Sequence, residues 1–228
     1  MANDQEKEAA ARASLRFVKD GQVVGLGTGS TAAYFIQLLG ERVKKGLQVR
    51  GIPSSERSRE QATGLGIPLT SLDECQQIDV TVDGTDEVDP ELRLIKGGGG
   101  ALLREKIVAS ATKHYVIIAD ATKRVPVLGK FPLPVEVIKF AQAVVAMKIQ
   151  ALGAEVGLRR EADGKAYLTD ENNYILDCRF GKIRDADKLA RQLSDMPGVV
   201  EHGLFIGMAS VVLVANGSEI VELRARTK

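Results

Sequence analysis

The stretch Asp83 to Lys106, D-G-T-D-E-V-D-P-E-L-R-L-I-K-G-G-G-G-A-L-L-R-E-K, decides how the rest of the chain is read. It opens with carboxylates at Asp83, Asp86, Glu87 and Asp89 and sets Lys96 against an unbroken glycine run, Gly97 to Gly100. It closes on Glu105 in a helical pattern. Adjacent glycines suit neither helix nor strand, because glycine gives up the most backbone freedom on folding. What they offer is close approach, with no Cβ between backbone N–H groups and a ligand. Ahead of Asp83, the run I-D-V-T-V at Ile78 to Val82 reads as a short buried strand. The carboxylates therefore begin where a strand ends, which is where open α/β sheets bind ligands. A solvated acidic turn followed by a flexible glycine linker would use the same residues. It does not account for their coincidence at one strand end.

Upstream, strand Gln22 to Leu26 runs into G-T-G-S-T, Gly27 to Thr31, and then into an apolar-periodic helix, Ala32 to Leu39. Strand, glycine turn and helix N-terminus present N–H groups to an anion, and Ser30 and Thr31 add hydroxyl donors. A P-loop needs a lysine where Gly29 stands, so that variant is excluded. Gly27, Gly29 and Ala32 formally fit the dinucleotide fingerprint. The second strand, Val49 to Ile52, ends in Pro53-Ser54-Ser55-Glu56, with hydroxyls where a ribose-binding acid is wanted. A small phosphorylated ligand fits better. Helix Arg57 to Gly64, a short strand Ile67 to Leu69, and helix Ala101 to Thr112 follow. Strand Tyr115 to Ala119 again ends in polar residues, Asp120, Thr122, Lys123 and Arg124. Alternating strands and helices predict a Rossmann-like parallel sheet covered on both faces. In such a sheet all four of these strand ends lie on one edge.

The pattern changes after Val125-Pro126. Strand Val135 to Lys139, helix Ala141 to Leu152, strands Glu155 to Arg160 and Tyr174 to Phe180, helix Asp185 to Leu193 and strand Val199 to Phe205 give the β-α-β-β-α-β order of a ferredoxin-like α+β unit. Val211 to Ala215 and Ile220 to Arg224 are expected to return to the first sheet. The predicted division is 1–127 plus 207–228 for the α/β domain and 128–206 for the smaller one. With 228 residues, 44% hydrophobic and 27% charged, the composition is that of an ordinary globular protein. A formal net charge of +1 gives no bulk case for nucleic acid or an anionic membrane. The acidic, polar N-terminus is no signal peptide, and no apolar run approaches a membrane span. Cys75 and Cys178 lack zinc-site spacing and are expected to remain thiols in a reducing cytosol. His114 and His202 lie beside apolar strands, away from the glycine motifs, and read as structural. Asn3 or Asp4 can cap an N-terminal helix running to Val18, in whose first turn Lys7 reads as a surface lysine. Arg224, Arg226 and Lys228 read as a solvated tail.

G-L-G-T-G-S-T (Gly25–Thr31), S-S-E (Ser54–Glu56), D-G-T-D-E (Asp83–Glu87) and K-G-G-G-G-A-L-L-R-E-K (Lys96–Lys106) together resemble ribose-5-phosphate isomerase type A, in motif order, spacing and total length. The resemblance implies interconversion of D-ribose 5-phosphate and D-ribulose 5-phosphate in the pentose phosphate pathway, with no metal or organic cofactor. It also implies a smaller lid-like domain and a homo-oligomer, with a homodimer favoured. Aldose–ketose isomerisation moves a proton between adjacent carbons through a cis-enediolate, and a single carboxylate can serve both carbons. By resemblance Glu105 is that base. Lys96 and the amides of Gly97, Gly98 and Gly99 are the candidates to stabilise the enediolate oxygen. Asp83 and Asp86, with the intervening Gly84 and Thr85, face sugar hydroxyls, and Asp83 is favoured for ring opening. Thr28, Gly29, Ser30 and Thr31 cradle the phosphate, with Lys123 and Lys7 completing its charge. Lys7 acquires that role by resemblance alone. Gly100 stands where some members have alanine.

Three other readings use the same groups. The acidic cluster could hold magnesium in a phosphatase or sugar-phosphate lyase, which chelator sensitivity would reveal. A sugar-phosphate sensor would bind without turnover, although no helix-turn-helix or basic segment is attached. A coenzyme A transferase of related fold would form an acyl-enzyme at Glu105.

Overall fold

The computed structural model describes residues 2–217 and 219–224, so Arg226 and Lys228 of the expected tail lie outside the described residues. In chain order the elements are α1 (Ala2–Ser14), β1 (Val23–Leu26), α2 (Ser30–Lys44), β2 (Arg50–Pro53), α3 (Glu56–Gly64), β3 (Ile78–Asp83), β4 (Glu87–Val88), β5 (Leu94–Ile95), α4 (Leu102–Ser110) and β6 (Thr112–Asp120). They continue with β7 (Leu133–Val137), α5 (Gln142–Ala151), β8 (Glu155–Leu158), β9 (Tyr174–Arg179), α6 (Ala186–Ser194), β10 (Val199–His202), β11 (Leu204–Phe205), β12 (Val211–Asn216) and β13 (Glu219–Arg224). The chain forms two compact units, one of 1–85, 104–124 and 207–228, the other of 86–103 and 125–206.

The first unit is built on a sheet of order β13-β12-β6-β3-β1-β2, parallel throughout except for β13, which runs antiparallel along the edge of β12. Its strands are apolar runs because both faces are covered. Val24, Leu26, Val80, Val82, Val116 and Ile118 meet Ala10 of α1 and Phe35, Ile36 and Leu39 of α2 on one face. Val23, Ile52 and Ile78 meet Val108 of α4 on the other. The parallel registers bring the C-terminal ends of β1, β2, β3 and β6 to one edge, as the strand pattern predicts. β12 and β13 do return to this sheet.

Two local expectations need correction here. Ile67 to Leu69 makes only an isolated parallel bridge, Leu69 to Gly51. The first helix begins at Ala2, so Asn3 and Asp4 lie inside its first turn instead of capping it. It stops at Ser14, whose hydroxyl turns back onto the Ala11 carbonyl at 2.7 Å. Such back-bonding competes with helix continuation, and a 3₁₀ turn, Leu15–Phe17, follows.

In the second unit the antiparallel sheet has order β10-β7-β9-β8, with α5 after β7 and α6 after β9. This is the ferredoxin-like arrangement. Leu133, Val135 and Val137 pack with Val145 and Ile149 of α5 and Leu189 and Leu193 of α6. The expected strand Val199–Phe205 is divided at Gly203: β10 pairs with β7, whereas β11 pairs with β5 in a small sheet of order β11-β5-β4. The Gly203 N–H donates to Pro134 O at 2.8 Å and its carbonyl accepts the Lys96 N–H at 2.9 Å, so the backbone changes partners at that residue. Residues 86–103 group with this unit through such bonds. Glu87, 2% exposed, accepts the N–H groups of Gly129 at 2.7 Å and Phe131 at 2.6 Å, and Val125 N–H donates to Val88 O at 2.9 Å.

Candidate active site

In the first unit the site is organised by Asp83, the last residue of β3, which is 1% exposed. Its Oδ1 accepts the N–H of Thr28 at 3.0 Å and of Gly84 at 2.7 Å, and its Oδ2 accepts the Tyr115 hydroxyl at 3.2 Å. A Cβ on Gly27 would lie 2.3 Å from Asp83 Oδ1 and 2.5 Å from its Cα. Only glycine lets β1 and β3 exit side by side and lets the aspartate pin the turn. The Thr28 hydroxyl is tied from behind by a cluster at the start of α3: Ser54 Oγ lies 2.8 Å away and Ser55 Oγ 2.9 Å. Ser58 Oγ donates to Gly27 O at 2.7 Å. The turn thus opens directly onto the N-terminus of α2, whose Ser30 and Thr31 amides belong to the first helical turn and point out of it.

Glu105, in the first turn of α4, is 4% exposed. Tyr115, 1% exposed on β6, has its phenol held well above the usual value, first by burial and then by the neighbouring carboxylates of Asp83 and Glu105. It therefore remains a neutral donor close to both acids. Arg104, beside Glu105, donates to Glu56 at 2.6 Å, and the Glu56 carboxyl is held below its ordinary value chiefly by that bond. Lys123 ends the 3₁₀ turn Ala121–Lys123 after β6, which the Asp120 side chain caps through Thr122 N–H at 3.0 Å. Lys123 is half-buried. Lys7 lies on α1 with an ion pair to Asp4 at 3.7 Å. The structure brings Thr28 to Thr31, Asp83, Gly84 and the neighbours of Glu105 together, while the Lys7 ammonium is paired with Asp4 on its own helix.

In the second unit Asp86 is half-buried, and its Oδ2 accepts the Gly98 N–H at 2.7 Å. Lys96, 2% exposed, has Nζ 5.6 Å from the centroid of the Phe205 ring. Gly97 to Gly100 form a turn closed by Gly100 N–H to Gly97 O at 3.0 Å, with φ of +103° at Gly97 and +84° at Gly100. Side chains would be strained at both positions. Gly98 and Gly99 are the exposed tip.

Sequence reading missed Tyr115, Ser58 and Arg159. Tyr115 sits in an apolar strand where its register with Thr81 of β3 is not visible. Arg159 donates to the carbonyls of Gly97 and Gly98 across 62 and 61 residues of sequence. The histidines are structural, as expected: the His202 ring bonds Ser194 Oγ at 3.1 Å and accepts Leu204 N–H at 3.2 Å, and His114 lies against Phe17. Both cysteines are thiols, and burial pushes Cys178 up to about 12. Among the described residues no group of three or more His, Cys, Asp or Glu is arranged to hold a metal ion. Among them, too, no helix is long and apolar enough to cross a membrane.

The family pattern described as ribose 5-phosphate isomerase A (phosphoriboisomerase A) matches residues 50–219. A ribose-5-phosphate isomerase A of Parvibaculum lavamentivorans is 54% identical over 97% of this chain and 99% of its own length. The solved ribose 5-phosphate isomerase A of Methanocaldococcus jannaschii is 41% identical, with a TM-score of 0.93 over 97% of this chain and 99% of that one. A solved D-ribose-5-phosphate isomerase in complex with phospho-erythronic acid is 39% identical, with a TM-score of 0.95 over 98% of this chain and 100% of that one.

Proposed function

The chain belongs to the ribose 5-phosphate isomerase A family, and we propose that it interconverts D-ribose 5-phosphate and D-ribulose 5-phosphate, in the non-oxidative branch of the pentose phosphate pathway. One proton moves between C1 and C2 through a cis-enediolate, with Glu105 as the single base. The observation that carries this assignment is the setting of Glu105. It is a carboxylate at 4% exposure, near enough to Tyr115 to help hold that phenol neutral. A base shielded from water and beside a fixed neutral donor suits proton abstraction from carbon.

The phosphate is assigned to the N-terminus of α2 and the Thr28–Thr31 turn, with Lys123 supplying charge from the end of β6, on the far side of β3, and Lys7 a further cation. Lys96 and the amides of Gly97 to Gly99 are assigned to the enediolate oxygens. Between the two aspartates the bonding favours a division of labour. Asp83 already accepts three donors and builds the turn. Asp86 is half-buried and is the one we assign to taking the anomeric hydroxyl proton on ring opening. Gly84 and Thr85 lie between them and complete the hydroxyl contacts.

The enzyme is proposed to act in the cytoplasm as a homo-oligomer, a homodimer first. A protein-covered face is supported by Phe140, Val144 and Met147 on and beside α5, which are 97%, 52% and 61% exposed. A coupled assay for ribulose 5-phosphate formation from ribose 5-phosphate, with and without chelator, tests the reading. Turnover unaffected by chelator is expected. Absence of product, or turnover abolished by chelator and restored by magnesium, would overturn it.

A further inference from the structure

The glycine turn is held from behind by a side chain that the reaction scheme above does not use. Arg159, the residue after β8, donates through Nη1 to Gly97 O at 2.8 Å and Gly98 O at 3.3 Å. Its other nitrogens are bound to the carboxylate of Asp177 on β9, Nε to Oδ2 at 3.0 Å and Nη2 to Oδ1 at 2.5 Å. The guanidinium is mostly covered, its side chain being 14% exposed. Tyr167 flanks the same turn. Its N–H donates to Arg159 O at 2.9 Å, and its hydroxyl stands 2.1 Å from where a Cβ on Gly100 would be.

A trans peptide sets its C=O and N–H on opposite sides. Binding Gly97 O on one side therefore turns the Gly98 N–H to the other, where Asp86 Oδ2 accepts it at 2.7 Å. By the same rule, the hold on Gly98 O turns the Gly99 N–H away from Arg159. A cation on the two carbonyls also polarises these peptides and makes their N–H groups better donors. The planar fork is used at both ends, two nitrogens for Asp177 and one for the turn, a geometry that a lysine ammonium cannot reproduce.

We propose that Arg159, locked by Asp177, is a positioning residue for the isomerisation: it fixes the Gly97–Gly98 and Gly98–Gly99 peptides, so that the Gly98 N–H holds Asp86 and the Gly99 N–H is turned toward the reacting sugar. This rests on assigning the amides of this turn, that of Gly99 first, to the enediolate oxygens. Loss of the hold should lower kcat and leave KM nearly alone, because an enediolate donor matters most where charge develops. A misdirected donor costs up to roughly 10²-fold in rate.

Arg159→Ala, Arg159→Lys and Asp177→Asn are compared with wild type for kcat, KM and melting temperature. Amide hydrogen exchange of Gly98 and Gly99 is followed by NMR, and Arg159→Ala is assayed again with millimolar guanidinium added. The expected result is a kcat loss of roughly 10- to 100-fold in Arg159→Ala, with KM little changed and melting kept. Faster exchange at Gly98 and Gly99, and partial recovery with guanidinium, should accompany it. Arg159→Lys should recover little, and Asp177→Asn should fall between. Unchanged kcat with unchanged exchange would remove Arg159 from the turn's control. Faster exchange with unchanged kcat would show that the turn's amides are not used, which refutes their assignment together with this proposal. A kcat loss that only follows a lowered melting temperature, without guanidinium recovery, would reduce Arg159 to a structural residue and refute the proposal while leaving the amide assignment standing.

Discussion

Asp83 accepts three donors while buried at 1% exposure, so its replacement has consequences that can be worked out in advance. Asp83→Asn keeps one carbonyl oxygen for the N–H groups of Thr28 and Gly84. Its amide group then faces the Tyr115 hydroxyl, which can accept as well as donate. The bonds survive but lose their charge assistance. A charged hydrogen bond contributes about 1.5–3 kcal/mol and a neutral one about 0.5–1.5. The loss should therefore be about 1 kcal/mol per bond, or roughly 2–3 kcal/mol in all. Asp83→Ala instead leaves two buried N–H groups without an acceptor, at about 1–3 kcal/mol each, and adds a cavity. Urea unfolding of the three proteins measures the order wild type, Asn, Ala by linear extrapolation. A Tyr115→Phe cycle with Asp83→Asn should be non-additive, since the two side chains are bonded. Because the turn is distorted, KM for ribose 5-phosphate should rise in both Asp83 variants. An acyclic aldehyde analogue that keeps the C2 hydroxyl should restore Asp86→Asn and not Asp83→Asn. Equal stability of wild type and Asp83→Ala would refute the pinning of the turn. Restoration of Asp83→Asn alone on the analogue would return ring opening to Asp83.

Lys123→Ala should lower kcat/KM for ribose 5-phosphate and have little effect on unphosphorylated ribose; an equal loss on both sugars would detach Lys123 from the phosphate. Glu136, 1% exposed on β7, accepts from Thr169 Oγ1 at 2.9 Å and Asn173 Nδ2 at 3.0 Å, and burial, ahead of the nearby Glu171 and Glu201, raises its carboxyl above the ordinary value. A raised folded-state pKa means that Glu136 binds its proton more tightly in the native than in the unfolded chain. Its contribution is present below the unfolded pKa and is lost as pH rises through the folded one. Unfolding free energy should thus fall with rising pH across that window, and Glu136→Gln should flatten the fall. An unchanged profile in the variant would assign the slope to other groups.

Much of the first unit was legible because its signals are local. G-T-G-S-T after a strand, and polar residues closing apolar runs at Asp83 and Asp120, each lie within a few consecutive residues, and the parallel topology follows from their alternation with helices. The order β-α-β-β-α-β likewise identified the second sheet. What escaped depends on partners far away in sequence. β4, β5 and β11 are two residues each, too short for any periodicity, and exist because they pair with one another. Gly203 divides an apolar run that otherwise reads as one strand, since its N–H and C=O are taken by Pro134 and Lys96. The grouping of 86–103 with 125–206 follows from bonds such as Glu87 to Gly129, across 42 residues. Tyr115 and Arg159 carry no motif of their own. They matter through Asp83 in one case and the glycine carbonyls in the other.

The most direct test of the central claim is the turnover number of Glu105→Gln, measured with its substrate dissociation constant. The substitution preserves size and hydrogen-bonding capacity and removes the base. With Glu105 as the one carboxylate that moves the proton, kcat should fall by roughly 10²–10⁴-fold while ribose 5-phosphate still binds with nearly wild-type affinity. Near-wild-type turnover in this variant would contradict the account.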